Sequence, residues 1–329
     1  IVIMFAITQL IAVPAGILLL QASATSPDVA ALSVVPPGQA DNPLSAVFFV
    51  GSVLLSTGAI LLLLYLYRFG SLFKWLGEII IRLLEFSVVS FAVAALLFAY
   101  LNVAAGVAFD AAFTVSLLAG LLFALLKFFI PRLKNSAAIL SSAGVGALFG
   151  FSLGFWPALL FILLLSLYDY IAVFRTRHML QMAQALGTKS LSFTITADAG
   201  GREPAPPKIK TQAVPIDLAA SSSPPAAARA ATGIPNLAPP TAASSAPRHY
   251  GGIDRLDLGS GDLMVPAMLA VSTYTIAGTV GAVAVMAGTI LSIALLLRLV
   301  VEKRVALPAL PPICLGGLVA LLIVKLAGF

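Results

Sequence analysis

Nine apolar runs divide this chain, and they limit its possible folds more than any other feature. They cover about 1–20, 44–66, 79–101, 111–129, 137–154, 156–174, 262–278, 280–301 and 308–326. About 20 predominantly apolar residues in a helix cross the hydrocarbon core of a bilayer. Every backbone N–H and C=O in lipid must be bonded within the protein, so the choices are helices or a closed barrel. The ten-residue alternating segments of a barrel are absent. The expected class is therefore an all-α polytopic membrane protein with nine transmembrane helices. Composition agrees: 60% of residues are hydrophobic and 10% charged, too few charges for a soluble domain of this length. The fifth and seventh runs are short, and the third begins in a charged stretch holding Glu78, Arg82 and Glu85. Ala22-Ser23-Ala24 resembles a signal-peptide cleavage site. The run before it is about twenty residues and no basic residue precedes it, so it is read as a span.

Charge sorts the connections. All of the 19 Lys and Arg residues except Lys325 fall between runs two and three, four and five, six and seven, or eight and nine. The opposite connections hold Asp28, Asp41 and Asp110 and no base. The positive-inside rule then places the N-terminus in the cytoplasm and the C-terminus outside. The net charge of +6 reads as topology, and nucleic acid is not an expected partner. Cys314 is the single cysteine, which excludes an internal disulfide and a cysteine-based zinc site.

Three parts follow. Residues 1–175 form a six-helix part; 176–258 form a cytoplasmic loop; 259–329 form a three-helix part. Within the loop, 218–247 consists mainly of Ala, Pro and Ser, which cannot bury a core and predicts disorder. "TRHMLQMAQALG" reads as a surface helix, and "KSLSFTITA" (189–197) as a strand by its alternation and β-branching. A lone strand is marginal, so it needs a partner. The extended segment before Asp262 is one candidate and a substrate chain another; an ordinary surface strand is equally compatible. His178 and His249 lack ligand-spaced neighbours and read as surface residues.

Two acids lie inside runs: Asp169, between Tyr168 and Tyr170, and Asp262, in "LGSGDLMVP". Acids are costly in lipid and are functional candidates by default. Asp169 precedes Arg175 by six residues and Asp262 follows Arg255 by seven. At ~1.5 Å per residue both can sit about 9 Å or a little more from the cytoplasmic edge. Gly259 and Gly261 weaken a helix by about 1 kcal/mol each relative to Ala. They permit unusual backbone angles and close approach of another chain. Paired carboxylates can hydrolyse an amide with water, one drawing a proton from water while the other donates to the carbonyl oxygen. No cofactor or metal is needed. Proton-coupled transporters use the same groups, so that reading is the alternative. It predicts paired internal repeats with broken helices, and none is evident. Pro308, Pro311 and Pro312 open the last run, either as a helix start or as an unwound edge.

Together, Tyr168-Asp169, Gly259-Ser260-Gly261-Asp262 and Pro308-Ala309-Leu310 resemble the marks of the presenilin and signal peptide peptidase family. Their order, the nine runs and the long sixth-to-seventh loop match along essentially the whole chain. The resemblance implies a GxGD-type intramembrane aspartyl protease. Asp169 and Asp262 would be its catalytic pair, and Tyr168, Gly259, Gly261, Pro308, Ala309 and Leu310 would shape the site. Implied partners are transmembrane-protein or signal-peptide substrates and the lipid bilayer; a homo-oligomer is left open. The derived topology and "LPALP" are similar to presenilin, "GDLMVP" to the peptidase branch, and the compact chain looks like an archaeal homologue. The family also implies that substrate extends a small sheet near run seven, a role open to "LSFTITA". Prepilin-type peptidases share Gly-x-Gly-Asp, but their usual cysteine pairs are missing here; a non-catalytic scaffold is the remaining reading. Gly146, Gly150 and Gly154 form a small-residue stripe suited to close helix packing. Glu85 is expected in an interfacial ion pair with Arg82 on one helix face rather than in catalysis.

Overall fold

The computed structural model describes residues 1–35, 40–66, 71–171, 194–198, 255–303 and 309–328. The chain divides into one unit of Ile1–Ala197 with Arg255–Phe329 and a second of Asp198–Asp254. The Ala/Pro/Ser segment, "TRHMLQMAQALG", His178, His249 and Pro308 lie outside the described residues.

The described chain is mostly helical. In order it forms α1 (Val2–Ser23), a single turn α2 (Pro27–Ala30), α3 (Pro43–Leu66), α4 (Ser71–Phe98), α5 (Phe109–Phe129), α6 (Lys134–Ser152) and α7 (Phe155–Ile171). Two short strands follow, β1 (Thr194–Asp198) and β2 (Arg255–Gly259), then α8 (Ser260–Lys303) and α9 (Leu310–Leu326). Among the described residues four helical stretches are long and apolar enough to cross a membrane: Val2–Ser23, Ile79–Ala104, Phe109–Phe129 and Ser260–Val300. Helix α4 ends in a π-helical turn, Ala99–Ala104. Gly106 at φ 66° then reverses the chain, a conformation costly for residues with a Cβ. Helix α8 joins two of the apolar runs. The break is Gly278, at φ 59° and ψ −159°, so the division expected near 279 is real although the hydrogen-bonded run is continuous. Lys325 Nζ donates to the carbonyl of Ile276 (2.8 Å), satisfying an acceptor at that break.

The first part of α8 is the axis of the fold. Leu263, Val265, Ala267, Met268, Leu269, Ala270 and Val271 have no exposed surface. A helix buried on all sides must be apolar all round, which explains why this run lacks a polar face. Helices α1, α6, α7 and α9 pack against α8. Small residues permit the approach, as expected where lipid supplies no hydrophobic drive between helices. A Cβ on Gly150 would lie 2.5 Å from Val271 Cβ, and one on Gly146 would lie 2.9 Å from Ala267 Cβ. The predicted stripe thus serves α8 at two positions. Gly154 lies beyond the end of α6 and abuts Asp41, its N–H donating to the Ala40 carbonyl (3.0 Å).

Helices α4 and α5 pack on each other, and α4 also packs on α6. The outer face of α5, including Leu118, Leu122 and Phe129, is apolar and exposed, a surface suited to lipid. Between α4 and α5 lies a buried ion pair: Lys127 Nζ donates to Glu85, and the Arg82 guanidinium sits 5.8 Å from the Phe128 ring centre. The expected role of Glu85 in an interfacial ion pair therefore gains a partner from the neighbouring helix.

Candidate active site

The predicted strand has its partner in the segment before Asp262. β1 and β2 form a two-stranded sheet, and β2 passes into α8 with no intervening residue. Leu258 of β2 is buried with Phe5, Leu263, Ile293 and Ile313, anchoring the strand to the helical core. Asp262 therefore occupies the first turn of α8, directly after a strand.

The two glycines are used differently from expectation. Neither Gly259 nor Gly261 has a positive φ, so the expectation of unusual backbone angles is corrected: a strand and a helix start suffice. Gly259 instead lies against the carboxylate. Its N–H donates to Asp262, and a Cβ there would stand 3.4 Å from Asp262 Oδ2. Gly261 is exposed, and a Cβ there would meet nothing within 4 Å. That side of the first turn is open to another chain.

Asp169 arrives from the last described turn of α7, which packs on α8. The two carboxylates come within electrostatic range of each other. Both residues are half-buried, as is Tyr168.

Helix α9 supplies the third wall. Ala309 is its N-cap, and Pro311 and Pro312 occupy the first turn, where a missing N–H costs little. This is a regular helix start at the described residues. Leu310 is buried with Val265 and Cys314, while Ala309 packs toward Leu258 and Leu263. Ala309 and Leu310 thus join two clusters that also hold residues from the first part of α8, and Cys314 lies within electrostatic range of Asp262. Ser292 Oγ of α8 donates to the Pro312 carbonyl (2.6 Å), pinning this helix start. The approach is possible because residue 316 is glycine: a Cβ there would be 2.5 Å from Ser292 Cβ. Sequence reading missed Ser292, whose hydroxyl resembles many others in apolar runs; only the crossing of α8 and α9 distinguishes it. It also missed Gln9, discussed below, although an amide in an otherwise apolar run was a visible signal. Among the described residues no three His, Cys, Asp or Glu side chains gather as a metal site would require.

The fold and site define a helical integral membrane protein with two acids in electrostatic range of each other near the start of a buried helix. The model of the signal-peptide peptidase, presenilin aspartyl protease family matches residues 3–196, more than half of the chain, and the chain belongs to that family. Its activity class is intramembrane aspartyl proteolysis, and its substrates are membrane-embedded. Among solved structures, a presenilin family intramembrane aspartate protease in a C222 crystal form matches with TM-score 0.58 and 22% identity, covering 99% of this chain and 97% of that one. The same description in a P2 form matches with TM-score 0.57 and 22% identity, over 99% and 96%. At this identity the likeness concerns the fold. The search of curated proteins finds no match.

Proposed function

We propose that Asp169 and Asp262 are the catalytic pair of a GxGD-type aspartic endopeptidase that cleaves transmembrane-helix substrates. The observation that carries this reading is that Asp169, at the end of α7, lies within electrostatic range of Asp262, at the start of the helix α8 against which α7 packs. Two acids this close share a proton over a range of pH. The ionised member takes a proton from water as the water attacks the scissile carbonyl carbon. The protonated member donates to the carbonyl oxygen. Collapse of the tetrahedral intermediate expels the amine, which takes up a proton, and the pair is restored.

Substrate access follows from the strand beside Asp262. A helical substrate hides its amides in its own hydrogen bonds and must unwind before attack. Pairing with the free edge of the β1–β2 sheet compensates for the lost helical bonds, and the open side of Gly261 admits the extended chain. Tyr168, Gly259, Ala309 and Leu310 are assigned to the surrounding walls, a role that the family motif extends to Pro308. The charge asymmetry supports nine spans with the N-terminus and the 176–258 loop cytoplasmic and the C-terminus outside.

The test is cleavage of a purified single-span substrate in detergent by the wild type, Asp169→Asn and Asp262→Asn. Each variant is expected to lose at least about 10²-fold in kcat while eluting as a folded protein. Cleavage by either variant at the wild-type rate refutes the assignment.

A further inference from the structure

We propose that Gln9 is a positioning residue for Asp262. From α1, its side-chain amide holds the first turn of α8, which Pro266 leaves short of one hydrogen bond. The proposal rests on the reading of Asp262 as catalytic.

Gln9 has no exposed surface and lies in a helix of otherwise mostly apolar residues. Burying an amide is unfavourable unless it is bonded, and polar groups inside a membrane-spanning helix are functional candidates. Its Nε2 donates to the carbonyl of Leu263 at 3.4 Å, across 254 residues of sequence. Leu263 directly follows Asp262. Four residues beyond Asp262 stands Pro266, which has no N–H to return to the Asp262 carbonyl. The turn that aims the Asp262 carboxylate therefore lacks a rung of its helical ladder, and Gln9 grips that turn from outside.

Helix α6, which packs on both α1 and α8, brings a second polar side chain near this turn. Ala138 of α6 is buried with Phe5 and Leu263, and Gly146 abuts the Met264 carbonyl. Ser142 lies midway between them, one helical turn from each, on the face that meets this turn of α8. Among the described residues, Gln9 Oε1 and Ser142 Oγ are the buried side-chain polar atoms left without a partner. A polar group placed only for packing would not be left half-satisfied in an apolar interface. Here the polar atoms gather behind the one turn whose orientation decides where Asp262 points.

The test is a kinetic cycle in the full chain, measured on the single-span substrate. Gln9→Met keeps the side-chain length and removes the donor. Its kcat is expected to fall about tenfold with KM unchanged, because orientation at the reacting groups is lost while substrate binding is not. Pro266→Ala restores an N–H to the Asp262 carbonyl and alone is expected to stay within a few-fold of wild type. In the double variant, Pro266→Ala is expected to recover most of the loss. A merely structural Gln9 would change the melting temperature and give no such recovery. Should Gln9→Met fail to fold, Gln9→Asn keeps an amide but shortens its reach, and the same fall and recovery are expected. Wild-type kcat in the Gln9 variant, or losses that simply multiply in the double variant, overturn the proposal while Asp262→Asn remains inactive. An active Asp262→Asn protein overturns both this proposal and the catalytic assignment.

Discussion

Gly316→Ala isolates the contact that ties α9 to α8 beside the site. A Cβ at position 316 would stand 2.5 Å from Ser292 Cβ and 2.9 Å from Ser292 Oγ. Carbon atoms in contact need about 3.5–4.0 Å, so the two helices must part by about 1 Å. The Ser292 hydroxyl now reaches the Pro312 carbonyl at 2.6 Å; a shift of that size takes it to the limit of a hydrogen bond or beyond. Overpacking of this kind costs about 1–3 kcal/mol, and the lost bond adds about 0.5–1.5 kcal/mol. The expected loss is therefore about 2–4 kcal/mol. It appears as a lower midpoint in thermal unfolding of the detergent-purified protein. Ala309 and Leu310 sit at the start of the displaced helix, and misplacement by about 1 Å at a catalytic site can cost 10²-fold, so cleavage should fall with stability. A second substitution, Ser292→Gly, removes the obstructing side chain. In the double variant most of the packing part of the loss should disappear, leaving a tight contact with the Gly288 carbonyl oxygen at 3.0 Å, and the hydrogen-bond part should remain. Wild-type melting and cleavage in Gly316→Ala would show that the α8–α9 contact does not hold the site.

Other outcomes follow from the same coordinates. Gly261→Ala should melt at or above the wild-type temperature, since a Cβ there meets nothing within 4 Å and Ala improves a helix by about 1 kcal/mol. Gly259→Ala should change kcat by no more than a few-fold, because its Cβ would make only an ordinary contact with Asp262 Oδ2 at 3.4 Å; a loss of tenfold or more would contradict the geometry. Replacing Glu85 by Gln leaves Lys127 buried without its charge partner and should cost about 3–5 kcal/mol in unfolding, whereas Glu85→Leu with Lys127→Met should be much milder. Gly278→Ala should destabilise by about 1–3 kcal/mol through backbone strain alone, because φ 59° with ψ −159° is essentially a glycine-only conformation and a Cβ there meets nothing within 4 Å.

Much of the architecture was legible because its signals are local. Apolar runs and charge distribution outlined the helices, and the division of α8 near Gly278 was anticipated from run length. The strand at 189–197 was legible by alternation; the structure describes Thr194–Asp198 and pairs it with the segment before Asp262. For Gly259 and Gly261 the sequence leaves two uses open, unusual backbone angles and close approach of another chain. Neither takes a positive φ, and a Cβ would fit at both within the described residues, so the first use is excluded. Glu85 was read with its neighbour on the same helix; Lys127, on the next helix, could not be selected from sequence spacing. Gln9 is harder to distinguish in sequence, because an amide is less costly in lipid than an acid and only the contact of α1 with Leu263 gives it a partner.

The sequence by itself determined the class, the two acids and their order along the chain. These depend on how many consecutive residues favour lipid and on which rare charges interrupt them, both properties of short windows. The tertiary structure decided the packing around these helices: β2 running into α8, Ala309 and Leu310 in the clusters of the first part of α8, Ser292 on Pro312, and Gln9 on Leu263. Lipid is as apolar as the helices it surrounds, so hydropathy does not encode which helix faces which. That choice comes from the fit of small residues and from a few buried polar groups, and it exists only when helices distant in sequence meet.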